Sequence, residues 1–317
     1  MSTSIDLVPV KPTTAIVGED DTASRKSGGS KWFRLLVNDR VAAAAACVLG
    51  FVFLTAIFGP MIVGDLATRI DLDNSNQAPF TLTHGWVNVL GTDPLGRSML
   101  ARLIVACQTT LSVAIPAVVI SAIVGSAIGM WAGYYRGWRE TVAMRVADVI
   151  MSFPSLLLAV VVLYVFSPSA ANIVAVLAIT RIPVYLRTAR AESAELSSRV
   201  FVDAARTFGA SGRSIITRHV VPIVLPTLLT VATLDFCYVM LAESSLSFLG
   251  IGIQPPDISW GLMVAQGRTY LHTAWWLSFF PGLAIVFSVL SFALMADAVR
   301  DYLDSNPVPV KKGHHVR

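Results

Sequence analysis

Runs without a single charged residue dominate this chain, and short polar stretches rich in arginine separate them. A bilayer's hydrocarbon core takes about 20 apolar residues in helical form. Val41 to Gly64 carries no charge and predicts span 1, and Leu103 to Gly133 predicts a long span 2. Val149 to Thr180 is also uncharged, too long for one ordinary helix, and holds the turn signal Ser167-Pro168-Ser169 in its middle. That run divides into span 3 (residues 149–166) and span 4 (residues 172–187). Span 5, Val221 to Leu249, carries Asp235 and Glu243; span 6, Thr273 to Ala296, is uncharged. The expected fold is all-α and integral to the membrane, with six transmembrane helices over residues 41–300. Tails are expected over 1–40 and 301–317. Residues 1–30 are polar, rich in Ser, Thr and Gly, and read as a disordered tail. Cys47 precedes most of its apolar run, the wrong order for a cleaved lipoprotein signal, so span 1 is expected to stay in the protein.

Composition agrees with the pattern. Of 317 residues, 55% are hydrophobic and 14% are charged, with a mean hydropathy of +0.66. A soluble domain carries about 25% charged residues. A water-soluble enzyme, a disordered chain and a nucleic-acid-binding module are thereby disfavoured. The net charge of +4 does not point to nucleic acid, because the basic residues flank apolar runs and form no stripe. Five precede span 1, three lie between spans 2 and 3, six between spans 4 and 5, and four in the C-terminal tail. The opposite side has Arg69, Arg97, Arg102 and Arg268 alone. Eighteen against four places both termini and the two arginine-rich loops in the cytoplasm by the positive-inside rule.

Sites for covalent chemistry are not apparent. Cys47, Cys107 and Cys237 sit in apolar runs and read as small core residues. The five histidines are scattered; the pair His314-His315 reads as solvated tail rather than a weak metal site. Gly28-Gly29-Ser30-Lys31 is too short for a phosphate-binding loop, so no ATP site is expected. The chain is expected to hold no catalytic, cofactor or metal residues.

The segment from Arg187 to His219 is too polar to span and too patterned for a tether. Phe201, Ala205 and Phe208 recur at i, i+4 and i+7, a narrow apolar stripe on a short helix. Gly209 can end that helix in a left-handed conformation, and Ser211 can cap a second one through Ile215 and Ile216. Pro222 and Pro226 mark the start of span 5. A short amphipathic helix fits either a partner's groove or the lipid surface. Asp203, in the first half of the helix, is either a local cap or a contact. Glu195 and Arg199 at i, i+4 read as helix surface support.

These residues carry a resemblance. Asp203-Ala204-Ala205, Gly209 and Val221-Pro222 resemble the EAA loop (E-A-A-x3-G-x9-I-x-L-P) of ABC importer permeases. Gly91-Thr92-Asp93-Pro94-Leu95-Gly96-Arg97 looks like a motif of the dipeptide/oligopeptide/nickel permease family, as does Glu243 to Gly261 with Ser247-Phe248-Leu249-Gly250 and Gln254-Pro255-Pro256. The likeness covers residues 85–305 and is closest to the C-type subunit. Asp203 replaces the family's leading Glu, His219 stands at its Ile position, and Ala296 and Ala298 replace common glycines.

The resemblance implies a type I importer permease fold with a cytoplasmic coupling helix, about Val202 to Gly212, within an EAA loop over 187–222. Phe201, Val202, Asp203, Ala204, Ala205, Arg206, Phe208, Gly209, Ala210 and Ser211 would engage a separate ATPase. ATP and Mg would bind in partner subunits: two ATP-binding subunits or one tandem ATPase. A second homologous permease, an extracytoplasmic substrate-binding protein and the lipid bilayer complete the implied partners. The implied location is the cytoplasmic membrane of a bacterium. The implied cargo is a di- or oligopeptide; nickel chelate, glutathione or another small solute is the alternative. An ion-driven secondary transporter would favour inverted repeats, and no convincing repeat is found.

Arg181, Asp235 and Glu243 lie near membrane depth, where ionisable groups are functional candidates. Asp235 can pair with Arg181, or Arg181 can snorkel to the edge. Glu243 can bind a peptide amino terminus or pair with a basic residue. Gly125, Gly129, Gly133 and Gly137, each four apart, form a ladder for close helix packing. Outside, Ser259 or Asp257 can start a short helix from Trp260 to Tyr270, and Asp93 can cap a helix with Pro94 in its first turn. Gln254, Pro255, Pro256, Asp257 and Trp260 are candidate contacts for the binding protein, unless these segments plug the outer mouth.

Overall fold

The computed structural model describes residues 40–81, 86–166 and 169–305, with side chains to residue 301. Both predicted tails, apart from the helical residues Arg40 and 301–305, and the first two residues of the Ser167-Pro168-Ser169 turn lie outside the described residues. Among the described residues the fold is helical, with no strand. Ten helices follow in chain order: α1 (Arg40–Thr68), α2 (Met99–Tyr135), α3 (Trp138–Met151), α4 (Ser155–Val165), α5 (Ala170–Leu196), α6 (Val200–Thr207), α7 (Gly212–Ile215), α8 (Val221–Phe248), α9 (Trp260–Gly267) and α10 (Trp276–Ser305). Five segments are long and apolar enough to cross a membrane: α1, α2, α5, α7 through α8, and α10.

The sixth predicted crossing takes another form. Span 3 straddles a break: α3 and α4 meet at residues 152–154 and are bent by 82°. Pro154 has no N–H to donate and disfavours helical geometry at Phe153. An uncharged run therefore hides a corner, and counting the bent pair as one crossing gives six. Span 2 is longer than its charge-free core, because Met99 to Arg102 already belongs to α2.

Helices α2 and α5 form the closest pair, and the glycine ladder is the cause. A Cβ at Gly129 would lie 2.4 Å from the carbonyl oxygen of Leu186; at Gly133, 2.4 Å from that of Arg190; at Gly125, 2.6 Å from that of Ile182. Only glycine permits backbone approach at that range. Gly137 is not part of the ladder: it lies past the end of α2 with φ +72° and starts α3. Ser193 Oγ closes the contact by donating to the Met130 carbonyl at 2.9 Å.

The central core joins α1, α2, α8 and α10. Phe236 and Phe292 stack with ring centroids 4.0 Å apart, and Phe53 meets Phe292 edge-on at 6.1 Å. At one end, the indole of Trp276 donates to the Thr92 carbonyl at 3.2 Å, tying α10 to the loop before α2. The predicted Asp93 cap is replaced by Ser98, whose Oγ accepts from Ala101 N. Asp93 folds the loop instead, accepting from Leu95 N and Arg97 N, both at 2.9 Å.

Candidate functional site: the α6–α7 elbow

Between α5 and α8 the chain makes an elbow. The cap residue of helix α6 is Arg199, whose side chain makes no capping bond, and Asp203 lies within the first turn rather than at the cap position. The Asp203 carboxylate instead meets Arg206 at 3.4 Å, and both are exposed. Glu195 and Arg199 pair at 2.5 Å, across the end of α5. The helix ends in a Schellman arrangement: Ala210 N donates to the Ala205 carbonyl at 3.0 Å and Gly209 N to that of Arg206 at 2.9 Å. Gly209 carries the required positive φ, +81°, with no atom near its absent Cβ. Ser211 Oγ accepts from Ser214 N at 3.3 Å and starts α7, as its sequence position indicates. A π turn, Ile216–Val220, then leads into α8, where Pro222 occupies the first turn.

One small cluster anchors the elbow. Val202 and Ile215 are fully buried against Tyr134 of α2, with Phe201, Ala205, Ala210 and Ile216 around them. Arg206 Nε donates to Tyr134 Oη at 3.2 Å, and its guanidinium lies over the Tyr134 ring at 5.0 Å. A Cβ at Gly212 would lie 2.6 Å from Tyr135 Oη, so the elbow packs tightly on the end of α2.

The predicted stripe is thus split. Phe201 and Ala205 turn toward the cluster, whereas Phe208 is 91% exposed. The outward face is Val200, Ala204 and Phe208, at i, i+4 and i+8, with Asp203 and Thr207 beside them. Among these, Val200 is 84% exposed. Tyr134, Tyr135 and Val200 are the elbow residues absent from the sequence-based candidates. The tyrosines come from a distant helix, and only Val200, inside the recognised loop, had a local signal.

The membrane-depth candidates fall into two groups. Arg181 forms an ion pair with Asp235, whose second oxygen accepts from Tyr185 Oη at 3.1 Å. The Arg181 guanidinium also lies over Tyr238 at 4.2 Å. Pairing between α5 and α8 therefore replaces snorkelling.

Glu243 stands apart from these and is fully buried. No cation pairs with it among the described residues, so the expected basic partner is replaced by serines. Ser247 Oγ donates to Glu243 Oε1 at 2.8 Å and Ser244 Oγ to Oε2 at 3.4 Å. Ser247 in turn accepts from Ile253 N at 3.0 Å, and Ser259 caps α9.

Of the predicted outer contacts, Pro255, Pro256 and Asp257 are exposed and Gln254 is half-buried. Trp260 is corrected: it is buried, with its indole donating to the Leu103 carbonyl at 2.9 Å and its N–H to Thr110 Oγ1 at 3.3 Å. An indole spent on holding α9 to α2 is unavailable to a partner.

Comparison with known proteins agrees with this architecture. Residues 125–307 match the family described as binding-protein-dependent transport system inner membrane component. A putative peptide transport system permease protein of Brucella abortus is 39% identical over 271 residues, covering 86% of this chain and 90% of the relative. A probable D,D-dipeptide transport system permease protein of Escherichia coli K12 is 34% identical over 276 residues, covering 87% and 91%. A glutathione transport system permease protein of Escherichia coli O1:K1 is 36% identical over 275 residues, covering 86% and 89%. Helices, elbow and sequence likeness converge, and the chain belongs to the family of binding-protein-dependent transport system inner membrane components.

Proposed function

We propose that this chain is one of two membrane subunits in an ATP-driven importer of short peptides, with glutathione-like solutes as the nearest alternative cargo. The relatives' names, which cite peptides, a D,D-dipeptide and glutathione, support that cargo class. ATP and Mg bind in separate ATPase subunits, and an extracytoplasmic binding protein delivers cargo. Both termini and the α6–α7 elbow face the cytoplasm, a reading supported by the arginine asymmetry of the loops.

The observation that carries this reading is the elbow. Its inner face is held by Val202, while Val200, Ala204 and Phe208 remain uncovered among the described residues. An isolated eight-residue helix is unstable in water, so its persistence depends on packing. A helix anchored on one side and bare on the other suits insertion into a partner's cleft. Closure of the ATPases around ATP would draw the elbow inward. The tight α2–α5 pair and the Arg181–Asp235 link to α8 would carry that displacement as one body. The cargo path would then alternate between inward and outward access.

The test is Gly209→Glu in the reconstituted complex. The φ of +81° disfavours any side chain there, yet nothing crowds the site, so the change disturbs the elbow and spares the membrane core. The variant is expected to stay in the membrane and to lose ATP hydrolysis stimulated by the loaded binding protein. Unchanged stimulation rules the assignment out.

A further inference from the structure

Where α2 ends and α3 begins, the surface combines an apolar cavity with an arginine ringed by aromatics. The cavity holds about 300 Å3 and is lined by Ile128, Trp131, Trp138, Val142 and Val146, with Arg139 at its edge. The Arg139 guanidinium lies 5.3 Å from the ring centroids of Trp131 and Tyr135 and 6.0 Å from that of Trp138. Three rings against one guanidinium leave its N–H edges as the remaining recognition surface.

The nearby carboxylates are committed elsewhere. Glu140 pairs with Arg190, and Asp148 pairs with Arg187 at 2.5 Å and Arg145 at 3.8 Å. No ion pair joins Arg139 to a carboxylate among the described residues. Trp138, Val142 and Val146 are each more than half exposed, so the described residues leave the groove open.

We propose that this corner is a binding site for an anionic phospholipid. One acyl chain would lie in the groove along Ile128, Val142 and Val146, and the phosphate would accept from the Arg139 N–H edge. Amphipathic aromatic residues favour the boundary between hydrocarbon and headgroups. Basic groups beside transmembrane helices favour anionic headgroups there. An apolar slot continuous with a single uncommitted cation matches an amphiphile bearing one negative charge better than a soluble anion. A second permease subunit would need both apolar complementarity and a carboxylate placed at Arg139, whereas one anionic phospholipid supplies both, so the lipid is the occupant the charge favours.

The experiment is native mass spectrometry of the purified complete transporter, titrated with phosphatidylglycerol or phosphatidylcholine. It rests on the proposed assembly but reads lipid retention without cargo or ATP, so its outcome does not depend on the proposed cargo or on coupling to ATP hydrolysis. The native protein is expected to retain phosphatidylglycerol preferentially. Arg139→Gln should weaken that retention about fivefold, the effect of one basic group at a membrane surface. Val146→Trp, which fills the slot and keeps the charge, should weaken retention of both lipids. Arg218→Gln, an exposed arginine on the elbow, should change neither. Equal phosphatidylglycerol retention by Arg139→Gln and the native protein overturns the proposal. So does displacement of the lipid by an equal concentration of inorganic phosphate, which marks a soluble-anion site. A cross-link from Trp138→Cys to the second permease subunit overturns it as well, because protein then covers the groove.

Discussion

The two ends of the helical bundle treat polar groups in opposite ways. At the elbow, ion pairs lie at the surface: both members of Asp203–Arg206 and of Glu195–Arg199 are exposed. One cluster of three buried residues holds the whole element. At the other end, Asp93, Arg102, Glu243, Ser247 and Ser259 are all buried, and this chain supplies their partners. Arg102 donates to Gln266 at 3.0 Å and lies 3.7 Å from Asp93, and the Glu243 serines fasten the loop before α9. An element with a thin anchor and a bare face is suited to a grip from outside the chain. The opposite end pairs its buried polar groups within the chain, since a buried polar group left unpaired costs about 1–3 kcal/mol.

The sharpest way to break that contrast is at the anchor. Val202→Asp places a carboxylate in a fully buried apolar site between Tyr134 and Ile215. An unpaired buried charge costs about 3–5 kcal/mol, more than a cluster of this size can offset. The elbow should detach while the membrane helices, whose insertion depends on their apolar runs, stay in place. Stimulated ATP hydrolysis is expected to vanish with unchanged membrane abundance on immunoblots. Survival of stimulation would mean that the elbow's position does not depend on Val202.

A smaller effect is expected on the bare face. Phe208 is 91% exposed, so Phe208→Ala removes little from this chain's own packing. Its melting temperature when purified alone should be unchanged. Loss of one large apolar contact at an interface centre should raise the concentration of ATPase subunits needed for assembly about tenfold, or about 1.4 kcal/mol. A lowered melting temperature without an assembly defect would place Phe208 in the fold rather than at an interface.

Local rules made parts of both ends legible before any coordinates. Gly209 and Ser211 obey helix-terminus chemistry that involves only their neighbours, and both sit as the sequence indicates. The glycine ladder is equally local for Gly125, Gly129 and Gly133; it fails at Gly137 because α2 ends at Tyr135. What could not be read depends on distant residues. Whether Phe201 or Phe208 faces outward is decided by Tyr134, and Trp260 is buried because Leu103 and Thr110 of α2 accept or meet its donors. The corner at Pro154 had a signal, but the absence of charge over Val149 to Thr180 outweighed it. Arg181 and Asp235 were recognisable as a pair because two opposite charges in apolar runs have few other partners.

The smallest expected effect lies at Glu243. Glutamine at position 243 keeps the shape of Glu243 and one acceptor oxygen for Ser247, and its amide can donate to the oxygen of Ser244. Glu243→Gln should therefore lower the melting temperature of the complex by little and leave uptake within about twofold, under 1 kcal/mol. Glu243→Leu, similar in bulk, offers the hydroxyls no acceptor; it should destabilise by about 1–3 kcal/mol and expose the loop before α9 to protease. The ordering of the two variants distinguishes a fastening role from a transport role, because the first depends on hydrogen-bond count and the second on charge. If Glu243→Gln abolished uptake with an unchanged melting temperature, the carboxylate would belong to the cargo path rather than to the fastening of the loop before α9.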